Sequence, residues 1–213
     1  MSKPLLIIGA GGHASVLVDI LRQQRREIIG IVSPILDPTS KVFNGIKHFK
    51  NDNDILTFDN QSIILVNGIG SLPGHNLRTV LYSKFKALGY EFQTVVASNA
   101  IVSDYAVLED GVQILTGAIV QTNTRIGANS IINTGAIIEH DCIIGENNHI
   151  APGVTLSGQV ITSEHVHIGT GATIIQNVKI GVNSVVAAGA TLTKSLGQNI
   201  IHFPAKPFQK IKK

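Results

Sequence analysis

Residues 131–142 read Ile-Ile-Asn-Thr-Gly-Ala-Ile-Ile-Glu-His-Asp-Cys, two hexads with a large aliphatic at Ile132 and again at Ile138, and small residues at Ala136 and Cys142. Neither the helical period of 3.6 nor the strand period of 2 gives that spacing. Stepping by six in both directions from Ile132 reaches Val102 and Leu192, and fifteen of the sixteen positions are aliphatic, Thr162 being the exception. Small or β-branched residues such as Ala106, Val112, Ala118, Thr124 and Ser130 stand two places before these aliphatics, and Gly127, Gly145, Gly169 and Gly181 directly follow theirs. A large and a small side chain turned inward every six residues describe flat strands that turn a corner each hexad. Three hexads then make one triangular coil, with inward columns repeating along about five coils. The register needs no insertion, and Ser195–Gln198 ends it.

The residues before Val102 follow a different pattern. Leu5–Ile8 is a short apolar run, followed by the turn Gly9-Ala10-Gly11-Gly12 and by Ala14, Val16, Leu17, Ile20 and Leu21 at helical spacing. Ile28–Val32 and Ile63–Val66 read as further strands, Asn76–Leu88 as a second helix and Phe92–Val95 as a last short strand. That order describes a small parallel βαβ unit. The expected organisation is a Rossmann-like domain over 1–97, a hexapeptide coil over 98–195 and a tail over 196–213.

Composition agrees with strands and tight turns: 21 glycines, no Trp and 44% hydrophobic residues. The net charge of +3 owes much to Lys206, Lys210, Lys212 and Lys213, and without aromatic or Arg-rich support it does not point to nucleic acid. One cysteine, no signal-peptide pattern and no membrane-length apolar run lead us to expect a cytoplasmic protein with no membrane span.

With Ile138 pointing inward, His140 points outward beside Asp141. These residues fit either a general base with a carboxylate to stabilise its charged form, or a solvated surface pair. Gly158 lies one coil further in the same column. Its N–H either stabilises an oxyanion or serves only a corner. His149 and His167 are likewise one coil apart, each just before an inward Ile, so both rings are expected to stack on the outer surface. The pairs His140/His149 and His165/His167 lack the histidine spacing of metal sites on such coils, so no metal is expected. Cys142 falls in the inward small column and reads as core.

In the first half, Gly9-Ala10-Gly11-Gly12-His13-Ala14 fits G-x-G-x-x-G/A between a strand and a helix, which suits a diphosphate at a helix N-terminus. Ser33 stands where a nicotinamide dinucleotide site places an acid, which disfavours a dehydrogenase. Asn67-Gly68-Ile69-Gly70 after the third strand is expected to form the other wall of that crevice.

The glycine loop, the unbroken hexads carrying Glu-His-Asp and the ending Pro204-Ala205-Lys206 resemble the sialic acid O-acetyltransferase family. Within it the chain is most similar to UDP-4-amino-sugar N-acetyltransferases of bacterial bacillosamine synthesis. That resemblance, over nearly the whole chain, implies a left-handed parallel β-helix, a homotrimer, acetyl-CoA as co-substrate and a UDP-amino sugar as acceptor. It implies His140 as general base, Asp141 as its acidic partner and Gly158 as oxyanion donor. Gly9, Gly11, Gly12, His13, Ser33, Gly68, Asn133 and His149 would contact the sugar nucleotide, and Gly158, His167, Pro204 and Lys206 the acetyl-CoA. Ser33 departs from the acid common in the family, leaving the uracil and ribose contacts open. O-acetylation of sialic acid or another sugar, and a non-catalytic sugar-nucleotide-binding trimer, are the competing readings.

Overall fold

The computed structural model describes residues 3–205. Four consecutive apolar residues make β1 (Leu5–Ile8), and all are buried, as a central parallel strand covered on both faces requires. Helix α1 (Gly12–Gln23) turns Ala14, Leu17, Val18, Ile20 and Leu21 inward. Strand β2 (Ile28–Val32) pairs parallel to β1, β3 (His48–Phe49) extends that edge, and β4 (Ile64–Asn67) lies on the other side of β1, giving the order β3-β2-β1-β4. Helix α2 (Leu77–Ala87) follows, with Arg78, Leu81, Tyr82 and Phe85 buried.

Two features of this half differ from the sequence expectation. The stretch between β2 and β4 carries no hydrophobic period, yet holds β3 and two 3-10 turns, Lys41–Phe43 and Asp52–Thr57, the second closed by a capping box from Asn51 and Asp54. The strand expected at Phe92–Val95 is divided between the sheet and the coil. Phe92 makes one isolated bridge to Leu65, and Val95–Val96 pairs with Gln113–Ile114 as the first rung of the coil. Packing explains the diversion, because Val95 is buried with Ala97, Leu115 and Ile131 against α1 in a core shared by both halves.

From there the chain winds through three stacked parallel sheets of seven, six and five strands. Partners stand eighteen residues apart, as in Ile101–Ile119–Ile137–Thr155 along one face. The aliphatic column is buried from Ile114 onward. Thr162 is tolerated among the apolar residues because its Oγ1 accepts from Asn148 Nδ2 at 2.7 Å, and the Asn148 oxygen accepts from Val166 N–H. Every sixth residue from Gly111 to Gly189 occupies a left-handed corner with φ between +55° and +68°. These corner residues are Gly or Asn, which bear that conformation most cheaply, except at Asp141, Gln159 and His165. After Leu192 the pairing interval drops to sixteen, with Leu196 bridging Ile180 and Ile201–His202 pairing with Val185–Val186.

Gly127, Gly145, Gly169 and Gly181 are fixed by the closeness of the coils: a Cβ at any of them would lie 2.5–2.6 Å from backbone atoms of the next coil. Gly145→Ala is therefore expected to cost about 1–3 kcal/mol, read as a fall in the urea midpoint. Stability within about 0.5 kcal/mol of wild type would mean that adjacent coils part without penalty.

Candidate active site

The corner after strand Ile137–Ile138 carries the strongest chemistry. Asp141 sits in the left-handed corner with φ +60°, and this turns its carboxylate back onto the preceding residue. Asp141 Oδ2 lies 2.7 Å from His140 Nδ1. A carboxylate accepts, so Nδ1 bears the proton and Nε2 is left with its lone pair outward, the form a general base needs. Asn123, one coil back, donates to the other carboxylate oxygen at 3.1 Å, and these two hydrogen bonds, with His140's first, hold the Asp141 carboxyl below the usual range.

Beneath the ring lies Gly158. A Cβ there would stand 2.6 Å from His140 Cε1 and 2.7 Å from Nε2, so the imidazole fills the space that the glycine leaves. The Gly158 N–H meets no acceptor among the described residues, which makes it available beside the basic nitrogen. The pair is half exposed, at 53% for His140 and 41% for Asp141. An ion pair so open to water contributes little to folding.

A second group of candidates meets where the α/β unit rests on the prism. A cavity of about 380 Å³ lies there, lined by His13, Asn133, His149 and Arg78 among others. His149 Nδ1 is 2.9 Å from Ser71 O and must donate to it, so Nε2 is unprotonated and accepts from Asn133 Nδ2 at 3.0 Å. Burial, the neighbouring His167 and Arg78 push the His149 pKa down to about 3, so the ring is neutral. His13 Nε2 donates to Gln113 Oε1 at 2.7 Å, while Gln113 Nε2 donates to Asn67 O. Burial and Arg78 lower the His13 pKa to about 4, leaving Nδ1 as an acceptor. Arg78 gives Nε to Asn129 O and Nη1 to Asn67 O and Ile69 O, tying the β4–α2 loop to the prism. Sequence reading missed Gln113 and Arg78. Gln113 occupies an outward position next to the Ile114 column, and Arg78 looks like a surface cation on an amphipathic helix; only the approach of the two halves gives them partners.

The remaining candidates sort by their surroundings. Gly9 and Gly68 interlock, for a Cβ on Gly9 would meet Ile69 Cδ1 at 2.7 Å and one on Gly68 would meet Ile8 O at 2.7 Å. Close packing accounts for both, and for Gly9 so does a φ of +94°. Gly11 and Gly12 have nothing within 4 Å of the Cβ position, so they leave open space at the start of α1. Ser33 commits its hydroxyl to Ile35 O at 2.7 Å. His167 packs edge-on to His149, ring centroids 4.9 Å apart. Both rings were expected on the outer surface, but the Ser71 loop covers His149, leaving it 9% exposed. Pro204 is exposed and Lys206 lies outside the described residues. Among the described residues no cluster of three His, Cys, Asp or Glu is placed to hold a metal ion, and no helix is long and apolar enough to cross a membrane.

The junction cavity rests on the prism face of Ile131 and His149, whereas His140 follows strand Ile137–Ile138 and so stands at the corner opposite that face. Residues 4–84 match the model of the PglD N-terminal domain, and residues 123–158 match that of the bacterial transferase hexapeptide. The chain thus carries a PglD N-terminal domain followed by bacterial transferase hexapeptide repeats. The prism is accordingly a left-handed parallel β-helix of hexapeptide repeats. No curated protein matches the chain. Among solved structures it is similar to PerB from Caulobacter crescentus in complex with CoA and GDP-perosamine, with 29% identity, a TM-score of 0.85 and 95% of each chain covered. A variant of the perosamine N-acetyltransferase from the same organism gives 29% identity and a TM-score of 0.84 over 95% of this chain and 94% of that one. The acetyltransferase domain of PglB from Neisseria gonorrhoeae, in complex with acetyl coenzyme A, shares the fold at 24% identity and a TM-score of 0.87, over 98% and 100% of the two chains.

Proposed function

We propose that the chain is a cytoplasmic, acetyl-CoA-dependent N-acetyltransferase that acts on the amino group of a nucleotide-linked 4-amino-4,6-dideoxy sugar, an N-acetyl hexosamine carried on UDP. The observation that carries this reading is the His140–Asp141 pair lying over Gly158 in a left-handed prism. The likeness to a perosamine N-acetyltransferase along nearly the full length of both chains supports it.

The sugar amine attacks the thioester carbon while His140 Nε2 takes its proton. A C–N bond forms, and the tetrahedral oxyanion is met by the Gly158 N–H. Collapse breaks the C–S bond, and the departing thiolate takes the proton back from His140. Asp141 holds the imidazole in the required tautomer and stabilises its charged form. No acyl-enzyme is needed. Gly11 and Gly12 leave room for the diphosphate at the N-terminus of α1, and the junction cavity with His13, Asn133 and His149 takes the sugar. His167 and Pro204 would contact the coenzyme, as would Lys206, which lies outside the described residues.

This reading needs a second copy of the chain, because the base stands at the corner opposite the face that carries the junction cavity. The ridge that carries His140 is flanked by outward Ile101 on one face and by Val107 and Ile143 on the other, all exposed in the single chain. Packing of three prisms would bury these side chains and shield the His140 pair from water.

The test is thiol release from acetyl-CoA with UDP-4-amino-4,6-dideoxy-N-acetylglucosamine, GDP-perosamine, sialic acid and CMP-sialic acid as acceptors. Turnover confined to an amino sugar on a nucleotide is expected. Turnover of a sialic acid would replace N- by O-acetylation, and binding of both ligands without turnover would leave a non-catalytic sugar-nucleotide trimer.

A further inference from the structure

A second cavity lies beside the first on the same face of the prism. Residues Ser71–Asn76 and the first turn of α2 roof a space of about 310 Å³ above Asn147, His165, His167 and Asn183. Its electrostatics have one sign. Helix α2 is eleven residues long, its N-cap Asn76 makes no side-chain cap, and the N–H groups of Leu77, Arg78 and Thr79 meet no acceptor among the described residues. Those N–H groups carry the positive end of the helix dipole.

Arg78 adds a full charge. It is only 4% exposed, it lines the cavity, and its Nη2 has no partner among the described residues although Nε and Nη1 are engaged. His167 Nδ1 is also buried without a partner. No carboxylate among the described residues lines the space. A buried guanidinium with an unused face, set at an uncapped helix N-terminus in a space that no carboxylate lines, is matched by an anion.

His165 marks the same place from the prism side. Along this edge the left-handed corners form an asparagine ladder: Asn129 donates to Asn147 at 2.8 Å, and Asn183 donates to Asn199 at 2.9 Å. His165 stands between Asn147 and Asn183 and interrupts it. An asparagine there would continue the ladder, whereas the imidazole lines the cavity instead.

We propose that this second cavity binds a phosphoryl group, held by the first turn of α2 and by Arg78, with His165 as the contact that sets its specificity. The site takes in His167, which the acetyl-transfer reading gives to the coenzyme, so it rests on and deepens that reading without depending on which sugar is the acceptor. It shares Ser71, His75 and Arg78 with the junction cavity, so a group bound here sits next to that cavity's occupant. Free phosphate, a nucleoside diphosphate and the phosphates of CoA all offer the chemistry required.

The experiment follows the ring resonances of His165 and His167 by NMR in the intact protein, titrated separately with inorganic phosphate, UDP, GDP and CoA. Saturable shifts of both rings are expected, with His48 unmoved, and the ligands that produce them identify the source of the phosphoryl group. His165→Asn is expected to weaken that binding about tenfold, followed on His167, while keeping or raising the thermal midpoint. Arg78→Met is expected to abolish saturation, and if that variant does not fold, His165→Asn decides alone. No saturable shift with any of the four ligands, or an affinity unchanged in His165→Asn, overturns the assignment. Because the readout is binding, it can fail while acetyl transfer succeeds, and the reverse.

Discussion

Replacing His140 by alanine is expected to lower kcat for acetyl transfer by roughly 10²–10⁴ while leaving KM for acetyl-CoA nearly unchanged. The magnitude follows from the geometry. Nδ1 is committed to Asp141 at 2.7 Å, so Nε2 is the one basic atom on this corner, and the Gly158 N–H lies beneath the same ring. Asp141→Asn should have a smaller effect in the same direction, because an amide can still orient the ring but cannot stabilise its charge. Gly158→Ala should resemble His140→Ala in kcat, since the new methyl would stand 2.6 Å from His140 Cε1 and displace the imidazole. Steady-state thiol release with purified variants decides the matter. A His140→Ala enzyme retaining more than about a tenth of wild-type kcat would remove the base from this corner.

Lowering the pH from about 7.5 to about 5 is expected to destabilise the fold by about 4 kcal/mol through His13 and His149. Both are buried as neutral rings, with folded pKa values of about 4 and about 3 against an ordinary 6.5. The unfolded chain therefore binds protons that the folded chain refuses. Their neutral burial costs nothing above pH 6.5, and stability falls as pH drops from there toward the folded values. At about pH 5 each ring accounts for about 2 kcal/mol, from 1.36 kcal/mol per pH unit below 6.5. Urea denaturation at fixed protein concentration measures the loss, and His149→Gln should remove about half of it. A flat profile over this window would mean that the rings are open to water and the junction is not closed.

The two halves were legible to different degrees, for physical reasons. The hexad register could be read completely, because each inward position needs an aliphatic whatever its coil, and even Thr162 breaks the series only where Asn148 can satisfy it. β1, α1, β2, β4 and α2 announce themselves by period. Strand β3 does not, because two residues cannot display one, and Val95 went to the prism because cross-domain packing outweighed its nearness to the sheet. At the site, His140 and Asp141 stood out as a pair, but their contact depends on a left-handed φ that adjacent residues do not reveal. The corners themselves left a signal in the sequence, Gly or Asn at nearly every sixth place from Gly111. Two of the three departures from it, Asp141 and Gln159, flank His140 and Gly158. Arg78 and Gln113 left no comparable signal, since their partners come from the other half of the chain.

The eighteen-residue interval between stacked partners also constrains how such a gene can change. One residue inserted within a strand would turn every later inward side chain outward, much as a frameshift corrupts all that follows it. Six inserted residues would keep the core intact yet carry His140 to another edge of the triangle, away from its place relative to the α/β unit. Only a gain or loss of whole coils preserves both core and corner, and extra residues elsewhere are confined to corners, where they can loop outward. Natural length variation among chains of this kind should therefore cluster in multiples of eighteen, or at the corners.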